Sequence, residues 1–211
     1  EHSYPPMISL HSHNRIGVDL DETLAATFAL GLEYYHDHWL LGEVKDFSEI
    51  TEHNFSDIPH AHITQAINDS CWDAFESSKK VMEALPIPGS QEGIDMLLKQ
   101  QKELWIITAR RSDTKRKENT YRWLETYFPR FQPSHVYFTD GDTMAAIPKS
   151  QICRDLGITL LIDDNMENAI DAVTHGINCI LPEKPWNREK KYVHPLLYRV
   201  KNWKEILSLF Q

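Results

Sequence analysis

Five short apolar runs, each but the last closing on or beside a polar residue, constrain this chain more than any other feature: Arg15 to Leu20, Leu104 to Thr108, His135 to Phe138, Thr159 to Asp163 and Ile177 to Leu181. Continuous apolar runs of this length read as strands buried on both faces, the habit of parallel sheets. Helical patterns lie between most of them. Ser90, behind Pro88-Gly89, is placed to cap a helix with Ile94, Leu97 and Leu98 on one face. Ser112 or Asp113 opens a second, in which Tyr121, Leu124 and Phe128 share a face before Pro129 ends it. Lys149 begins a short helix reaching Leu156, and Asn165 opens another that Gly176 closes. Strands alternating with helices predict an α/β fold, a parallel sheet flanked by helices.

One stretch breaks the alternation. Residues 24–87 hold no convincing strand but carry helical pattern from Leu24 through Tyr35 and from Ile63 to Leu85. This is too long for a simple crossover, so a helical insertion after the first strand is expected, with 1–23 and 88–211 forming the core. The insertion is aromatic, with Phe28, Tyr34, Tyr35, Trp39, Phe47, Phe55, Trp72 and Phe75. Most of these are expected to form its small core, leaving one or two to face a substrate ring.

The 211 residues carry a formal net charge of −9, which opposes tracking along a phosphate backbone. A nucleic-acid partner is therefore not expected. Local basic runs lie at Arg110 to Arg122 and from Lys184 to Lys204; such runs are mostly solvated faces, or attract a small anionic substrate. No apolar run approaches the roughly 18 residues that a bilayer span needs, so no membrane partner is expected. Cys71, Cys153 and Cys179 are odd in number and in no metal-ligand spacing, which points to a reducing compartment, the cytoplasm by default. The chain starts without a basic-then-apolar leader.

The polar residues that end the apolar runs carry the chemistry. Asp19-Leu20-Asp21-Glu22-Thr23 follows the first run, placing two carboxylates at the carboxyl end of a strand, where open α/β sheets hold their ligands. One can attack and the other can carry a proton. The second run ends on Thr108-Ala109-Arg110, a hydroxyl followed by a small residue whose backbone can approach an anion. Asp163-Asp164 follows the fourth run; adjacent acids there repel unless a cation joins them, and oxygen-only ligands suit a hard ion such as magnesium. The His11/His13, His36/His38 and His60/His62 pairs read as surface residues, the helical spacing of the middle pair pointing its rings to different faces. Glycine-rich dinucleotide and Walker patterns are absent, and Cys71 and Cys153 lack a basic partner that would activate a thiol.

The ordered set Asp-x-Asp-x-Thr, Thr108, Lys149 and Asp163-Asp164 closely resembles the four motifs of the haloacid dehalogenase (HAD) superfamily of phosphotransferases, over nearly the whole chain. The resemblance implies a HAD-like Rossmannoid core and identifies 24–87 with that superfamily's first-position cap. Pro86-Ile87-Pro88-Gly89, Tyr121-Arg122-Trp123-Leu124-Glu125, Leu161-Ile162-Asp163-Asp164 and Asn202-Trp203-Lys204-Glu205-Ile206-Leu207 are similar to segments of the 5′(3′)-deoxyribonucleotidases and their bacterial relatives. The chain departs from that branch where Glu22-Thr23 replaces Gly-Val and where Ala109-Arg110 replaces Ser-Pro. Thr-Ala-Arg also resembles the second motif of polynucleotide 3′-phosphatases, and Asp-Leu-Asp-Glu-Thr the first motif of carboxy-terminal-domain protein phosphatases.

The implied activity is a magnesium-dependent phosphomonoester hydrolase acting through an aspartyl-phosphate on a small phosphorylated substrate such as a 5′-(deoxy)nucleotide. Asp19 would be the nucleophile and Asp21 the acid/base. Thr108, Ala109, Arg110 and Lys149 would bind the phosphate. The metal would be held by Asp19, Asp21 and Asp164, with Asp163 behind them. A phosphomutase fits the same residues. A non-hydrolytic phospho-accepting receiver domain has its acidic pair first, not last, and no counterpart of Asp21. Physiological substrate and oligomeric state stay open.

Overall fold

The computed structural model describes residues 9–39, 47–58 and 62–211, without the side chain of Trp39. Six strands form one fully parallel sheet: β1 (Arg15–Val18), β2 (Glu103–Thr108), β3 (Val136–Phe138), β4 (Leu160–Ile162), β5 (Asn178–Pro182) and β6 (Leu197–Val200). Their spatial order is β3-β2-β1-β4-β5-β6. The chain therefore winds outward in both directions from β1, and the crevice beyond its carboxyl end is the topological switch point. The α/β fold expected from the sequence is the one present.

The five apolar runs became β1 to β5 with ends shifted by one or two residues. β1 stops at Val18 and β4 at Ile162, yet Asp19 N still donates to Ile162 O at 2.8 Å and Asp163 N to Ile180 O at 3.1 Å. The ladder thus holds the first acidic residue after each strand rigidly. β6 did not stand out in the sequence because it is an edge strand, with Val200 alone among its four residues buried.

Helices cover both faces: α1 (Phe28–Trp39), α2 (Gln65–Ser77), α3 (Ser90–Lys99), α4 (Thr114–Tyr127), α5 (Lys149–Leu156), α6 (Met166–Thr174), α7 (Pro185–Arg188) and α8 (Trp203–Ser208). Asp113 caps α4 by accepting from Arg116 N, and Asn165 caps α6 by accepting from the amides of Glu167 and Asn168. At α3 the cap is Gly89 and not Ser90. Gly89 turns at φ +82°, a left-handed conformation that glycine takes without a Cβ clash, and Ser90 becomes the first helical residue. One face of the sheet packs Val18, Ile106 and Ile162 against α3, α4 and α8; the other packs Ile107, Leu161 and Cys179 against α5 and α6.

Residues 24–87 contribute α1, α2 and short 3-10 turns. Phe28, Leu32, Tyr35, Phe55 and Cys71 bury one another, and Trp186 of α7 joins the same cluster, 4.6 Å from Phe28. Tyr34, Phe47 and Trp72 are partly buried against it. Gly31 sets the approach of α1 to α2, since a Cβ there would lie 2.2 Å from the Trp72 ring. The expectation for His60 lies outside the described residues. Among the described residues no helix is long and apolar enough to cross a membrane.

Candidate active site

The carboxyl ends of β1, β2 and β4 bring the expected residues to one place. Asp19 is one residue past β1 and 6% exposed, while Asp163 and Asp164, just past β4, are 0% and 1% exposed. One carboxylate oxygen from each of the three lies within 4.8 Å of the others. Lys149, in the first turn of α5, points its Nζ between two of them, 2.6 Å from Asp19 Oδ1 and 2.7 Å from Asp163 Oδ2. Proline at 148 caps that helix and aims its first residue inward.

Each acid has its own supporting donors. Asp163 accepts from Asn165 N at 2.9 Å and from Asn168 Nδ2 at 3.1 Å, in addition to Lys149. Asp164 Oδ2 accepts from Trp186 Nε1 at 2.9 Å, and its Oδ1 faces the Thr23 hydroxyl at 3.4 Å. Asn187 Nδ2 bonds the Asp164 carbonyl at 2.8 Å. Three carboxylates around one ammonium leave surplus negative charge in a dry place. Burial raises Asp19 well above the usual carboxylate range; Lys149 pulls it down, and Asp163 and Asp164 push it up again. Asp164 is pushed up to about 7, by burial first and Asp163 second. A hard divalent cation with oxygen ligands relieves both, so the residues present fit one.

Asp21 leaves this cluster and meets Arg110. The guanidinium forks onto it, Nε to Oδ2 at 3.0 Å and Nη2 to Oδ1 at 2.7 Å, and its third arm donates to Thr120 Oγ1 of α4 at 3.0 Å. Burial alone would raise the Asp21 carboxyl; the fork outweighs it and holds the group below its ordinary value. Thr108 is buried at the end of β2, where its hydroxyl accepts from Arg110 N at 3.3 Å. Glycine at 141 bonds the Ala109 carbonyl through its amide at 2.9 Å, fixing the loop that follows β3 beside β2.

A cavity of about 490 Å3 opens above Asp19, Asp21, Lys149, Ala109 and Arg110. Thr108, Asp163 and Asp164 stand behind its wall. Residues that the sequence reading did not single out complete it: Asn68, Asp69 and Glu76 of α2, His53, and Trp186. For the α2 residues the signal was present, since Gln65, Asn68, Trp72 and Glu76 recur at helical spacing on the face beside Cys71 and Phe75. Phe28 and Trp72, by contrast, belong to the aromatic set, and both line the cavity. Burial holds His53 down to about 4, so it is neutral at pH 7. Among the described residues no histidine joins the acidic cluster; His13, for one, bonds Thr159 Oγ1 at 2.7 Å.

The model of the family described as 5′ nucleotidase, deoxy (pyrimidine), cytosolic type C protein matches residues 13–210. The chain belongs to this family. It is accordingly a HAD-superfamily phosphatase of the nucleotidase-like branch. Solved structures agree on the fold. CbbY from Rhodobacter sphaeroides, in complex with phosphate, is 15% identical with a TM-score of 0.62, over 94% of this chain and 99% of that one. A HAD family hydrolase from Deinococcus radiodurans R1 with bound phosphate and sodium is 14% identical with a TM-score of 0.62, over 93% and 94%. A haloacid dehalogenase-like hydrolase from Streptococcus pneumoniae is 15% identical with a TM-score of 0.64, over 94% and 99%. No curated protein matched the sequence.

Proposed function

We propose that the protein is a magnesium-dependent phosphomonoester hydrolase that works through an aspartyl-phosphate on a small substrate such as a 5′-(deoxy)nucleotide. One observation carries the reading: Asp19, ion-paired to Lys149 at 2.6 Å and facing two further buried carboxylates, lies under a cavity of about 490 Å3. Asp19 Oδ attacks phosphorus in line while Lys149 and the amide of Ala109 neutralise the transferring oxygens, with Thr108 bracing that turn. Arg110 adds charge at the same end. As it shares that charge with an incoming phosphate, its hold on Asp21 loosens, the Asp21 carboxylate takes up a proton from solvent, and it delivers that proton to the leaving oxygen. In the second half, Asp21, ionised again against Arg110, takes a proton from the water that hydrolyses the acyl phosphate.

Magnesium, when bound, would keep Asp19 ionised and balance the charge of the phosphate. Asp19, Asp164 and the backbone of Asp21 would hold it. Asp163 is assigned behind them because Lys149, Asn165 and Asn168 already occupy its oxygens, whereas Asp164 keeps a loosely engaged oxygen toward Thr23. Residues 24–87 act as the cap over a core of 1–23 and 88–211. The buried free thiols Cys71, Cys153 and Cys179 support a reducing, cytoplasmic setting. Phosphate release from nucleoside monophosphates, sugar phosphates and phosphopeptides, with magnesium or with chelator, tests the proposal. Asp19→Asn should abolish turnover of every substrate; full turnover by that variant would refute the aspartyl-phosphate route.

A further inference from the structure

The cations at the cavity wall are each engaged by a carboxylate. Arg110 Nη2 is 2.7 Å from Asp21, Lys149 Nζ is 2.6 Å from Asp19, and Lys190 Nζ is 3.3 Å from Glu52. Arg111, beside the cavity, is 2.5 Å from Asp73. His53, held down to about 4, adds no charge at neutral pH. Among the described residues lining the cavity, each lysine and arginine thus already has a carboxylate partner.

The wall away from Asp19 is instead acidic. Asp69 and Glu76 project from α2, and Asp142 from the loop after β3. Glu76 feels two cations, Arg110, which is committed to Asp21, and Arg116, whose Nε lies 3.6 Å away but which is chiefly spent on Asp113 at 2.6 Å and on Asp73. Asp69 accepts from Gln65 Nε2 at 2.6 Å, a neutral donor. The crowding is visible in the carboxyls themselves: Glu76 is pushed up to about 8, by burial and then by Asp21, and Asp142 is raised by burial and then by Asp69. Between the two ends lies an apolar stretch of wall, where Phe28 and Trp72 meet edge to face at 5.4 Å.

Resting on the phosphatase reading above, we propose that this cavity selects phosphomonoesters whose leaving group has an apolar body and a neutral or cationic far end, that it turns away those carrying a second anion there, and that Glu76 and Asp142 set the choice. The transferred phosphate has Lys149, Arg110 and backbone amides to meet it. A second phosphate or a carboxylate on the leaving group would sit against Asp69, Glu76 and Asp142, of which Glu76 is the least exposed and adds its charge once the pH passes about 8, and like charges there repel. An ammonium or amide N–H placed there would find acceptors. The discrimination acts on the remote part of the substrate, so it is read in KM more than in kcat.

The test uses the full chain with magnesium and three aryl phosphates whose para substituent is a carboxymethyl, carbamoylmethyl or trimethylammoniomethyl group. The methylene lessens the difference in leaving-group reactivity across the series, and comparing each ratio between wild type and variants cancels what remains. At ~pH 8.5, above the value of Glu76, kcat/KM for the cationic and amide esters should exceed that for the carboxylate ester by about ten-fold or more. Glu76→Gln and Asp142→Asn should each narrow that gap, through the KM of the carboxylate ester. Asp142 lies on an exposed loop, so its variant keeps the test decisive should Glu76→Gln fail to fold. Equal turnover of the three esters, or a gap that folded variants leave unchanged, would overturn the inference and leave the phosphatase reading standing. Absence of turnover with all three would overturn both.

Discussion

Glu76→Gln makes a prediction about stability that is independent of any substrate. Glu76 is pushed up to about 8 from an ordinary 4.5, first by burial and then by Asp21, with Arg110 and Arg116 pulling against them. Between those two values the folded protein keeps a proton that the unfolded chain has released. The unfolded state binds fewer protons there, so stability falls as pH rises from 4.5 toward 8 and levels off above it. A gap of about 3.5 pH units, at about 1.4 kcal/mol per unit, sets a ceiling of about 5 kcal/mol. The side chain keeps 15% of its surface in contact with solvent, and water there screens part of this cost. A gain of about 2 kcal/mol for the amide variant at high pH is the working figure, or a rise in Tm of about 4 to 8 °C for a chain of this size.

Thermal and urea unfolding of wild type and Glu76→Gln, in chelator to keep metal linkage out, should therefore diverge with pH. The curves should coincide near ~pH 4.5 and separate by about 2 kcal/mol at ~pH 8.5, with the variant more stable. The competing account is that Glu76 and Arg116, 3.6 Å apart, form a stabilising ion pair. In that case the variant would be less stable at high pH, and the desolvation argument would be refuted. The geometry favours desolvation, because Arg116 already donates to Asp113 Oδ2 at 2.6 Å and to the Asp73 carbonyl at 3.0 Å.

The remaining predictions concern the acidic cluster. Lys149→Met leaves Asp19 and Asp163 buried without their ammonium, and should cost about 3 to 5 kcal/mol in chelator; magnesium should restore a measurable part, while turnover should fall by about 10²- to 10³-fold. An unchanged melting curve in chelator would show that the ammonium does not balance those acids. Trp186→Phe keeps the ring packed on Phe28 but removes the donor 2.9 Å from Asp164 Oδ2, so half-saturation by magnesium should rise about ten-fold or more with kcat at saturation nearly retained. Magnesium titration of phosphate release checks it, and an unshifted titration would remove Asp164 from the metal.

Legibility in the sequence followed burial. β1, β2, β4 and β5 are sandwiched between helices, so apolar residues occupy both of their faces and the runs stand out. β6 pairs on one side and keeps Leu197, Tyr198 and Arg199 partly solvated, which leaves it looking like any mixed loop. Asp113 and Asn165 announced their helices because a side chain does the capping. Gly89 caps through a backbone angle, which Ser90 next to it masked. The acids at strand ends were legible for the same reason as the strands. What they bind was not, since the Arg110 partner of Asp21 is 89 residues away and the α2 wall depends on where residues 24–87 place that helix beside the cavity.

The positions where the chain departs from the deoxyribonucleotidase pattern are tied to one another rather than to open space. Glu22 turns at φ +63°, and its carboxylate accepts from Phe28 N at 2.6 Å with Lys184 3.7 Å away, so it anchors the start of α1. Thr23 faces Asp164 through its hydroxyl, and its carbonyl accepts from Trp203 Nε1 at 2.9 Å. Arg110 braces Asp21 against α4. Glu22, Thr23 and Arg110 thus support the start of α1 and the aspartates, with Asp19 and Lys149 in contact. Glu22→Gly separates the two effects. It relieves the left-handed strain, worth about 0.5 to 1 kcal/mol, but removes an acceptor buried at the beginning of a helix, worth about 1 to 3 kcal/mol. Net destabilisation of about 1 kcal/mol, with kcat on a neutral aryl phosphate within about three-fold of wild type, is expected. If kcat instead fell as far as in the Lys149 variant, Glu22 would belong to the chemistry, and the difference from the branch would have to be sought at the aspartates and not in the acidic wall of α2.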